Sequence, residues 1–436
     1  MAEKTAEKTT EKTTPAEKKA VAEQTTEKTQ EKQIRAAFVI AEFNPFHNGH
    51  AAILRKAREK AEADFVCVVL SGDFVQRGEP AIAEKYTRTR MALMNGADVV
   101  FELPLYYSLG SAEFFARGAV SLINRLGVCD ALVFGSECAD IERLKRVADL
   151  LNDETPSFKM NLQLALKRGS DYPTARAKAL AIALDEEHRA DAALLDEPNN
   201  LLAIEYLRRM KKTKAPFEAM TVRRTSGVSS AQIRTSMLSP HGRMPRAKMP
   251  EVCAVLLNEY TAHGGYVFGD PALLAERLAF RLAFDSSKGI AAYADVSDEL
   301  ASRIYKNLPA LSDLPSFIGL LHTKDMTEAR VKRALMHILL QMGDEALIKY
   351  TMDDTVYARV LGFRKDAQPL LNKIKSAGKI PLITKLAQSQ KLLADDPQAL
   401  RLLQEDIRAS LVYDQCFLRK EAYPLKSEFE KQIVTM

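Results

Sequence analysis

The sequence predicts an α/β fold in which a parallel sheet carries helices on both faces, followed by an all-α C-terminal domain. Between residues 34 and 240, short apolar runs alternate with segments of helical period. Several of these runs are apolar throughout, as strands covered on both faces must be. Alternation of strand and helix is typical of a parallel sheet. After residue 270 the helical period dominates and few strands are evident.

The predicted elements follow one another in a regular order. The strands are predicted at Ala36–Glu42, Asp64–Leu70, Asp98–Leu103, Asp130–Phe134 and Phe217–Val222. The helices between them are predicted at His50–Ala63, Glu84–Asn95, Ala112–Leu126, Ile141–Asn152 and Asn200–Lys212. The helices of the second half are predicted at Glu251–Ala262, Pro271–Phe284, Ser297–Asn307, Glu328–Met342, Ala367–Ser376 and Ile380–Leu393.

Composition divides the chain further and excludes some classes of protein. Residues 1–33 are mostly Lys, Glu and Thr, offer almost nothing apolar to bury, and are expected to form a disordered tail. Three prolines within residues 240–250 indicate a linker at 241–250 between an α/β domain (34–240) and a helical domain (251–436). No apolar run is long enough to cross a membrane, and no secretory signal is evident. The five cysteines are scattered, without a CxxC pair, which favours the reducing cytoplasm.

The first strand is followed at once by a chemically distinctive turn, Glu42-Phe-Asn-Pro-Phe-His-Asn-Gly-His50. Gly49 allows close backbone approach to a ligand, and a helix that begins here directs free amides at a phosphate. His47 and His50, three residues apart, face the same side and can donate hydrogen bonds to a nucleotide's phosphates. A metal site or a simple helix cap are the alternatives, which the position after the first strand disfavours.

A second polar element follows the fifth strand. Ser229 and Ser230 begin a short helix, and Arg234 lies one turn on. Hydroxyl, amide and guanidinium donors in this arrangement suit a triphosphate. An ordinary serine N-cap is the alternative, and by itself would be the simpler interpretation.

These two elements are similar to the HIGH and ISSTxxR signatures of the nucleotidyltransferase superfamily. Longer stretches resemble one family within it, the bacterial tRNA(Met) cytidine acetate ligases. The resemblance covers nearly everything except the tail and implies a Rossmann-like nucleotidyltransferase domain. The stretches that carry it include Ser71–Pro80, Glu102–Pro104, Ser111–Val120, Phe134–Glu137, Pro198–Asn200, Arg330–Leu340 and Arg359–Phe363.

The resemblance implies a ligase that uses ATP to convert acetate into acetyl-adenylate. The acetyl group then passes to the 4-amino group of the wobble cytidine of elongator tRNA(Met), giving acetylcytidine without acetyl-CoA. No obligate protein partner is predicted. The implied catalytic residues are His47, His50, Ser230 and Arg234. The implied ATP contacts are Ile40, Ala41, Glu42, Phe43, Asn44, Pro45, Phe46, His47, Asn48, Gly49, His50, Ala51, Ala52, Ile53, Gly135, Asn199 or Asn200, and Arg224.

Two residues after the second strand are expected to face the same crevice. Asp73 is a candidate ligand for Mg²⁺ through water, because hard cations prefer carboxylates and phosphates together. An Asx turn beside Gly72 is an equal alternative for it. Arg77 is a candidate partner for acetate or phosphate, or a surface arginine. Nothing in the sequence identifies an acetate pocket.

Basic residues are clustered although the net charge is only +5. Such clusters neutralise RNA phosphates, whereas each one alone is more often a solvated helix face. Together with the resemblance they predict RNA binding, with tRNA expected on the helical domain and a further basic cluster near the end of the α/β domain. The candidates are Arg208, Arg209, Lys324, Arg330, Lys332, Arg333, Arg359, Arg364 and Lys365.

Two other functions remain open at this point. A nucleotidylyltransferase acting on a small phosphorylated or carboxylated metabolite would share the histidine and serine elements but would need no basic helical domain. The other function is that of an RNA-binding protein with a relic ATP site. This hypothesis is disfavoured by the intact motif residues His47, Gly49, His50 and Arg234.

Overall fold

The computed structural model describes residues 34–224, 229–238, 243–262, 271–352, 354–416 and 426–436. The predicted tail at 1–33 lies outside the described residues. Arg35–Met436 form a single compact unit. Among the described residues, none of the helices combines the length and the apolar character that crossing a bilayer requires.

The main sheet is mostly parallel, as predicted. Its path runs β10-β8-β5-β2-β1-β6-β7, with β9 paired to β8, and β3 and β4 form a separate antiparallel hairpin. The strands are β1 (Ala36–Ala41), β2 (Phe65–Ser71), β3 (Phe74–Val75), β4 (Glu79–Pro80), β5 (Val99–Leu103), β6 (Ala131–Ser136), β7 (Glu218–Arg223), β8 (Ala358–Phe363), β9 (Leu382–Ile383) and β10 (Val434–Thr435).

Helices cover the sheet and build most of the second half. Those of the first half are α1 (Asn48–Lys60), α2 (Lys85–Met94), α3 (Leu105–Ser108), α4 (Ala112–Leu126), α5 (Ile141–Asn152), α6 (Pro156–Lys167), α7 (Tyr172–Ala183), α8 (Pro198–Thr213) and α9 (Ser230–Leu238). Those of the second half are α10 (Glu251–Ala262), α11 (Pro271–Ala283), α12 (Ser287–Ile290), α13 (Asp298–Asn307), α14 (Leu314–Leu321), α15 (Glu328–Leu340), α16 (Asp344–Met352), α17 (Gln368–Ala377), α18 (Ser389–Leu392) and α19 (Pro397–Gln415).

The strand order reverses around β1, which pairs in parallel with β2 on one side and with β6 on the other. The connection after β1 leads to β2 on one side, and the connection after β6 leads to β7 on the other. The two loops therefore separate at the carboxyl end of β1. Ligands of open α/β sheets bind in the crevice that such a reversal creates. All five predicted strands are present within two residues of their predicted ends, so this crevice lies where the sequence places its polar motifs.

The second half is mostly helical, but it also returns strands to the sheet. β8 pairs antiparallel with β5 and carries β9 and β10 at the edge. The prediction of a helix at Ile380–Leu393 was wrong: this segment holds β9 and the short α18. The local helical period is overridden by tertiary pairing, because Leu382 and Ile383 pair with Ala358 and Arg359 of β8.

The predicted boundary at 241–250 does not separate two packed bodies. One hydrophobic core joins Phe74, Leu105 and Tyr106 of the first half to helices α11–α15 and α19 of the second. Arg246–Lys248 form a 3₁₀ turn, and Met249 is buried against the core beneath β1 and β2. The two halves therefore share their cores as well as the sheet.

A buried square of alternating charges fixes the C-terminal half to the sheet. Lys85 on α2 lies 2.8 Å from Glu102 on β5 and 3.0 Å from Glu428. Arg359 on β8 lies 2.9 Å from Glu102 and 2.7 Å from Glu428. All four residues are nearly inaccessible to solvent. Each charge has two opposite partners, and a buried charge persists only with such compensation.

Replacing Arg359 by Met is expected to destabilise the protein strongly. Among the described residues, buried Glu102 would then keep Lys85 alone as its cationic partner, while Glu428 would keep Lys85 and Lys431. Removing one partner from a buried ion pair costs about 3–5 kcal/mol in free energy of unfolding. Urea unfolding followed by circular dichroism measures this quantity.

The matched control is Arg364→Met, on the same chain segment but 43% exposed and paired with Asp366. A surface pair is worth about 0–1 kcal/mol, so this variant is expected to unfold nearly like the unaltered protein. Equal effects of the two substitutions would contradict the role given to the buried square.

Candidate active site

A cavity of about 490 Å³ opens at the carboxyl ends of β1, β6 and β7, at the reversal of strand order. Its volume is in the range of pockets that bind small ligands and cofactors. The turn after β1 forms one wall, the start of α8 another, and the start of α9 closes the cavity beside β7. The histidine turn and the serine helix, 180 residues apart in sequence, therefore face one space.

His47 and His50 form a capping box at the start of α1. The His47 Nδ1 accepts a hydrogen bond from the Gly49 amide at 3.0 Å, and the His50 Nδ1 accepts one from the His47 amide at 3.2 Å. Because both Nδ1 atoms accept, each neutral ring carries its proton on Nε2. The cap thus fixes both tautomers and leaves two Nε2–H donors. Both residues line the cavity.

Both imidazoles are held neutral at physiological pH. Burial, followed by the positive charge of Arg224, lowers the pKa of His47 from 6.5 to about 4. Burial, followed by the charges of His47 and Arg224, holds the pKa of His50 well below its ordinary value. The rings stack with their centroids 3.7 Å apart, a spacing at which two imidazolium ions would repel each other. The site therefore offers uncharged donors beside a guanidinium.

Arg234 ties the serine helix to the histidine turn. Its guanidinium donates to the Asn44 carbonyl at 2.7 Å and lies 2.8 Å from a Glu79 carboxylate oxygen. Ser230 donates to the Pro45 carbonyl at 3.4 Å, at the edge of hydrogen-bond distance. Ser229, Ser230 and Arg234 all line the cavity.

Glu137 organises the opposite wall. Its carboxylate accepts from the Asn199 amide group at 2.5 Å and from the Asn200 backbone N–H at 2.9 Å, and it lies 3.5 Å from Arg224. The Asn200 side chain instead accepts from the backbone amides of Glu137 and Cys138. Asn199 and Arg224 line the cavity and Asn200 does not. The geometry thus favours Asn199 as the ligand contact and gives Asn200 a structural role.

Most of the residues expected to contact the nucleotide line this cavity, but some of the turn faces away from it. Phe46 is fully buried against Phe43 and His50, and Asn48 donates to the Ala247 carbonyl. The expected residues that line the cavity are Ile40, Ala41, Glu42, Phe43, Asn44, His47, Gly49, His50, Ala52, Ile53, Gly135, Asn199 and Arg224. Those that do not are Pro45, Phe46, Asn48, Ala51 and Asn200.

Sequence reasoning missed several lining residues. Lys56 lies on α1 one turn after Ile53, so continuing the helical period from the histidine turn would have found it. Phe115 on α4 and Tyr206 on α8 supply apolar walls. In the sequence, the spacing of the apolar residues around them indicates only the buried face of a helix. Arg223 adds a second guanidinium beside Arg224.

The magnesium role expected of Asp73 does not fit its position. Its carboxylate is buried, accepts from the Lys85 backbone amide at 2.8 Å and lies within 4.0 Å of the Lys85 and Arg88 side chains. Asp73 does not line the cavity. Within the described ranges, no group of three or more His, Cys, Asp or Glu side chains is placed to hold a metal ion. Arg77, in contrast, does line the cavity.

The candidate RNA-binding residues divide by exposure. Arg359 is a correction, since it belongs to the buried square and cannot reach a phosphate. Arg208 is held by Glu205, Arg209 by Asp354 and Arg333 by Asp295, and these three arginine side chains are at most 18% exposed. The more exposed candidates are Lys324, Arg330, Lys332, Arg364 and Lys365.

Comparison with known proteins agrees with this geometry. The family model described as HIGH Nucleotidyl Transferase matches residues 34–428. The tRNA(Met) cytidine acetate ligase of Acetivibrio thermocellus is 34% identical over 91% of this chain and 99% of its own length. That of Caldicellulosiruptor saccharolyticus is 37% identical over 91% of this chain and 98% of its own. The crystal structure of Thermotoga maritima TmcAL bound with alpha-thio ATP matches with a TM-score of 0.86 at 28% identity, over 92% of this chain and 100% of that one.

The fold, the capped histidine pair and the serine helix together define a HIGH-type nucleotidyltransferase. Within that class, the chain belongs to the tRNA(Met) cytidine acetate ligase family. The resemblance read from the sequence motifs is thereby confirmed, as is the α/β fold class.

The neutral state of His47 is directly measurable. We expect its ring resonances to stay constant across neutral pH and to titrate with a pKa of about 4 rather than 6.5. Between about pH 6.5 and pH 4, the unfolded chain binds more protons at His47 than the folded chain does. The free energy of unfolding therefore falls as the pH is lowered from about 6.5 to about 4. NMR titration of ¹³C-labelled histidine measures the pKa, and His47→Gln assigns the resonance. A His47 resonance that titrates at the ordinary value would contradict the buried, capped geometry.

Proposed function

We propose that this chain is an ATP-dependent tRNA(Met) cytidine acetate ligase, which forms acetyl-adenylate and acetylates the wobble cytidine of elongator tRNA(Met). The observation that carries the proposal is the pair of neutral Nε2–H donors at a helix N-terminus, facing a cavity of nucleotide size. The names of the relatives supply the acetate and the cytidine. The T. maritima structure with an ATP analogue supports ATP as the nucleotide.

The first step joins acetate to the nucleotide. A carboxylate oxygen of acetate attacks the α-phosphorus of ATP, and the bond to the β-phosphate oxygen breaks, releasing pyrophosphate. His47, His50, Ser230 and Arg234 are suited to bind these phosphates, because charge moves onto the pyrophosphate oxygens as the bond breaks. Neutral N–H groups donate hydrogen bonds to the departing pyrophosphate without forming an ion pair with it. The α1 N-terminus adds backbone amides on the same side.

The opposite wall is suited to the nucleoside. Gly135, the last but one residue of β6, has no side chain, and among the described residues only Ile53 would lie within 4 Å of a Cβ added there. Phe115 and Tyr206 supply apolar contact surface, and Asn199 presents an amide held in place by Glu137. We assign the adenosine to this side and the phosphates to the histidine side.

We assign magnesium no protein ligand. Glu42 is a carboxylate that lines the cavity, and its Oε1 accepts from the Gln76 amide at 3.0 Å. Burial raises the pKa of Glu42, which disfavours the charged carboxylate that would coordinate magnesium. With Asp73 occupied by cationic neighbours, magnesium is expected to enter as the cation of the ATP phosphates.

The second step needs an RNA surface near the cavity. Arg330 and Lys332 lie on α15, and the backbone at the start of this helix contacts the loop of the β3–β4 hairpin at Gly78. Gln76 and Arg77 of the same hairpin line the cavity. An RNA held by the exposed basic residues of α15 would therefore approach the nucleotide from the hairpin side.

The first test is transfer of labelled acetate to unfractionated tRNA with magnesium, with and without ATP, followed by digestion to nucleosides. Label is expected in acetylcytidine only when ATP is present. His50→Ala is expected to reduce transfer by about 100-fold or more, because it removes a preorganised donor to the phosphates. His188→Ala, which lies outside the cavity, is the matched control. Pyrophosphate release with another small substrate, and no label in tRNA, would favour a metabolite nucleotidylyltransferase instead.

The two neighbouring asparagines give a second, paired test. Asn199→Ala is expected to raise the KM for ATP about tenfold with little change in stability, which corresponds to about 1.4 kcal/mol of lost binding. Asn200→Ala is expected to lower the free energy of unfolding by about 1–3 kcal/mol, because it removes a buried side chain that accepts from the part-buried amides of Glu137 and Cys138. Steady-state kinetics and urea unfolding measure the two effects. The reverse pattern would show that the assignment of the pair is wrong.

A further inference from the structure

A second cavity, of about 360 Å³, lies on the other side of the β3–β4 hairpin. Its walls are mainly apolar and come from α11, α14 and α15, with Leu274, Leu314, Ile318 and Met336 among them. Its charged and polar side chains are few: Glu79 on the hairpin, His322, and the ion pair of Glu328 with Lys332. An apolar cavity with a few grouped polar side chains is the general form of a small-molecule or base site.

The two cavities share the hairpin as a partition. Gln76 and Arg77 line the nucleotide cavity, whereas Gly78, Glu79 and Pro80 line the second one. The Arg234–Glu79 ion pair, at 2.8 Å, crosses this partition, because Arg234 lines the first cavity and Glu79 the second. A group in the second cavity is therefore separated from the phosphate-binding side by one pair of side chains.

The hairpin is fixed on the side of the second cavity. Gly78 has a φ of +76°, and a Cβ there would come within 2.4 Å of the Arg333 backbone nitrogen and 2.6 Å of the Lys332 carbonyl carbon. Only glycine fits both the left-handed conformation and this contact. The hairpin thus packs on the backbone of the helix that carries Arg330 and Lys332, the candidates for RNA contact. Their side chains are 43% and 29% exposed and lie near Asp295 and Glu328.

We propose that the second cavity receives the cytosine base that accepts the acetyl group, turned out of the RNA chain. This inference rests on the proposed function and adds the acceptor site to it. Cytosine presents a 4-amino donor beside ring acceptors, and a carboxylate is the usual acceptor for that amino group. Glu79, which is paired with Arg234, provides the carboxylate at the partition. Lys332, which is paired with Glu328, and His322 provide donors. The basic residues of α15 beside the opening suit the phosphates that flank the base.

The chemistry that this placement serves is a simple acyl transfer. The N4 lone pair of cytosine attacks the carbonyl carbon of acetyl-adenylate, and the bond from that carbon to the phosphate oxygen breaks. AMP leaves with the electron pair, and N4 releases one proton to water. Because the reacting atoms must come within about 3–3.5 Å of each other, the transfer requires the Glu79–Arg234 pair to part, so that Glu79 accepts from the amino group and N4 reaches the acetyl carbon. A cavity for acetate itself would not need this volume.

Gly319 on α14 allows a direct test, because it lines the second cavity and, apart from its own helix backbone, none of the described residues lies within 4 Å of a Cβ added there. Gly319→Phe is expected to obstruct the cavity without a backbone clash. It should leave acetate-dependent ATP–pyrophosphate exchange unchanged and reduce kcat/KM for acetyl transfer to tRNA by about 100-fold, the cost of misplacing a reacting group. Leu320→Phe, at a neighbouring position that is 49% exposed and does not line the cavity, is the control for added bulk.

The outcomes are distinguishable. The base site is supported if the unaltered protein, Gly319→Phe and Leu320→Phe all catalyse ATP–pyrophosphate exchange, while acetyl transfer is lost only in Gly319→Phe. Binding of tRNA, measured in a filter assay, should be preserved in all three. Transfer at the unaltered rate overturns it, and so does loss of exchange, which would connect the cavity with the first step. A Kd for tRNA raised more than about tenfold would assign the residue to the phosphate-binding surface instead. Absence of both exchange and transfer in the unaltered protein would refute the proposed function rather than the location of the base.

Discussion

The reversal of strand order around β1 is the constraint on which the rest of the structure depends. Because β1 pairs with β2 on one side and β6 on the other, the connections that follow β1 and β6 diverge and leave a crevice between them. The turn at 42–50 fills one side of this crevice and the segment at 135–137 the other. Residues far apart in sequence then converge because parallel strands deliver all their carboxyl ends to one edge.

The site works with uncharged donors, and its electrostatics follow from how the histidines are held. Serine or aspartate usually caps a helix, whereas here His47 and His50 cap α1 and each other. The cap uses both Nδ1 atoms, burial and Arg224 oppose protonation, and two Nε2–H groups remain for a ligand. One local arrangement therefore determines helix start, tautomer and charge state together.

The C-terminal half is integrated with the sheet through buried charge as well as apolar packing. Glu102 and Lys85 of the first half pair with each other, and Arg359 and Glu428 of the second half complete the square. β8 can pack in its place beside β5 partly because Gly362 has no side chain. A Cβ at this position would lie 2.7 Å from the Thr89 methyl group. The helical half is thereby held against the hairpin that borders both cavities.

The sequence alone determined the five parallel strands, most of the helices and the histidine, serine and arginine motifs, because periodicity and turn chemistry are local. It did not determine which charged residues are buried: Arg359 was a candidate for RNA and Asp73 for either magnesium or an Asx turn, yet both are enclosed by charged partners. It also gave no sign of β8 in the sheet or of the second cavity. Burial, pairing and cavity shape depend on groups that only folding brings together, so these features were decided by the tertiary structure.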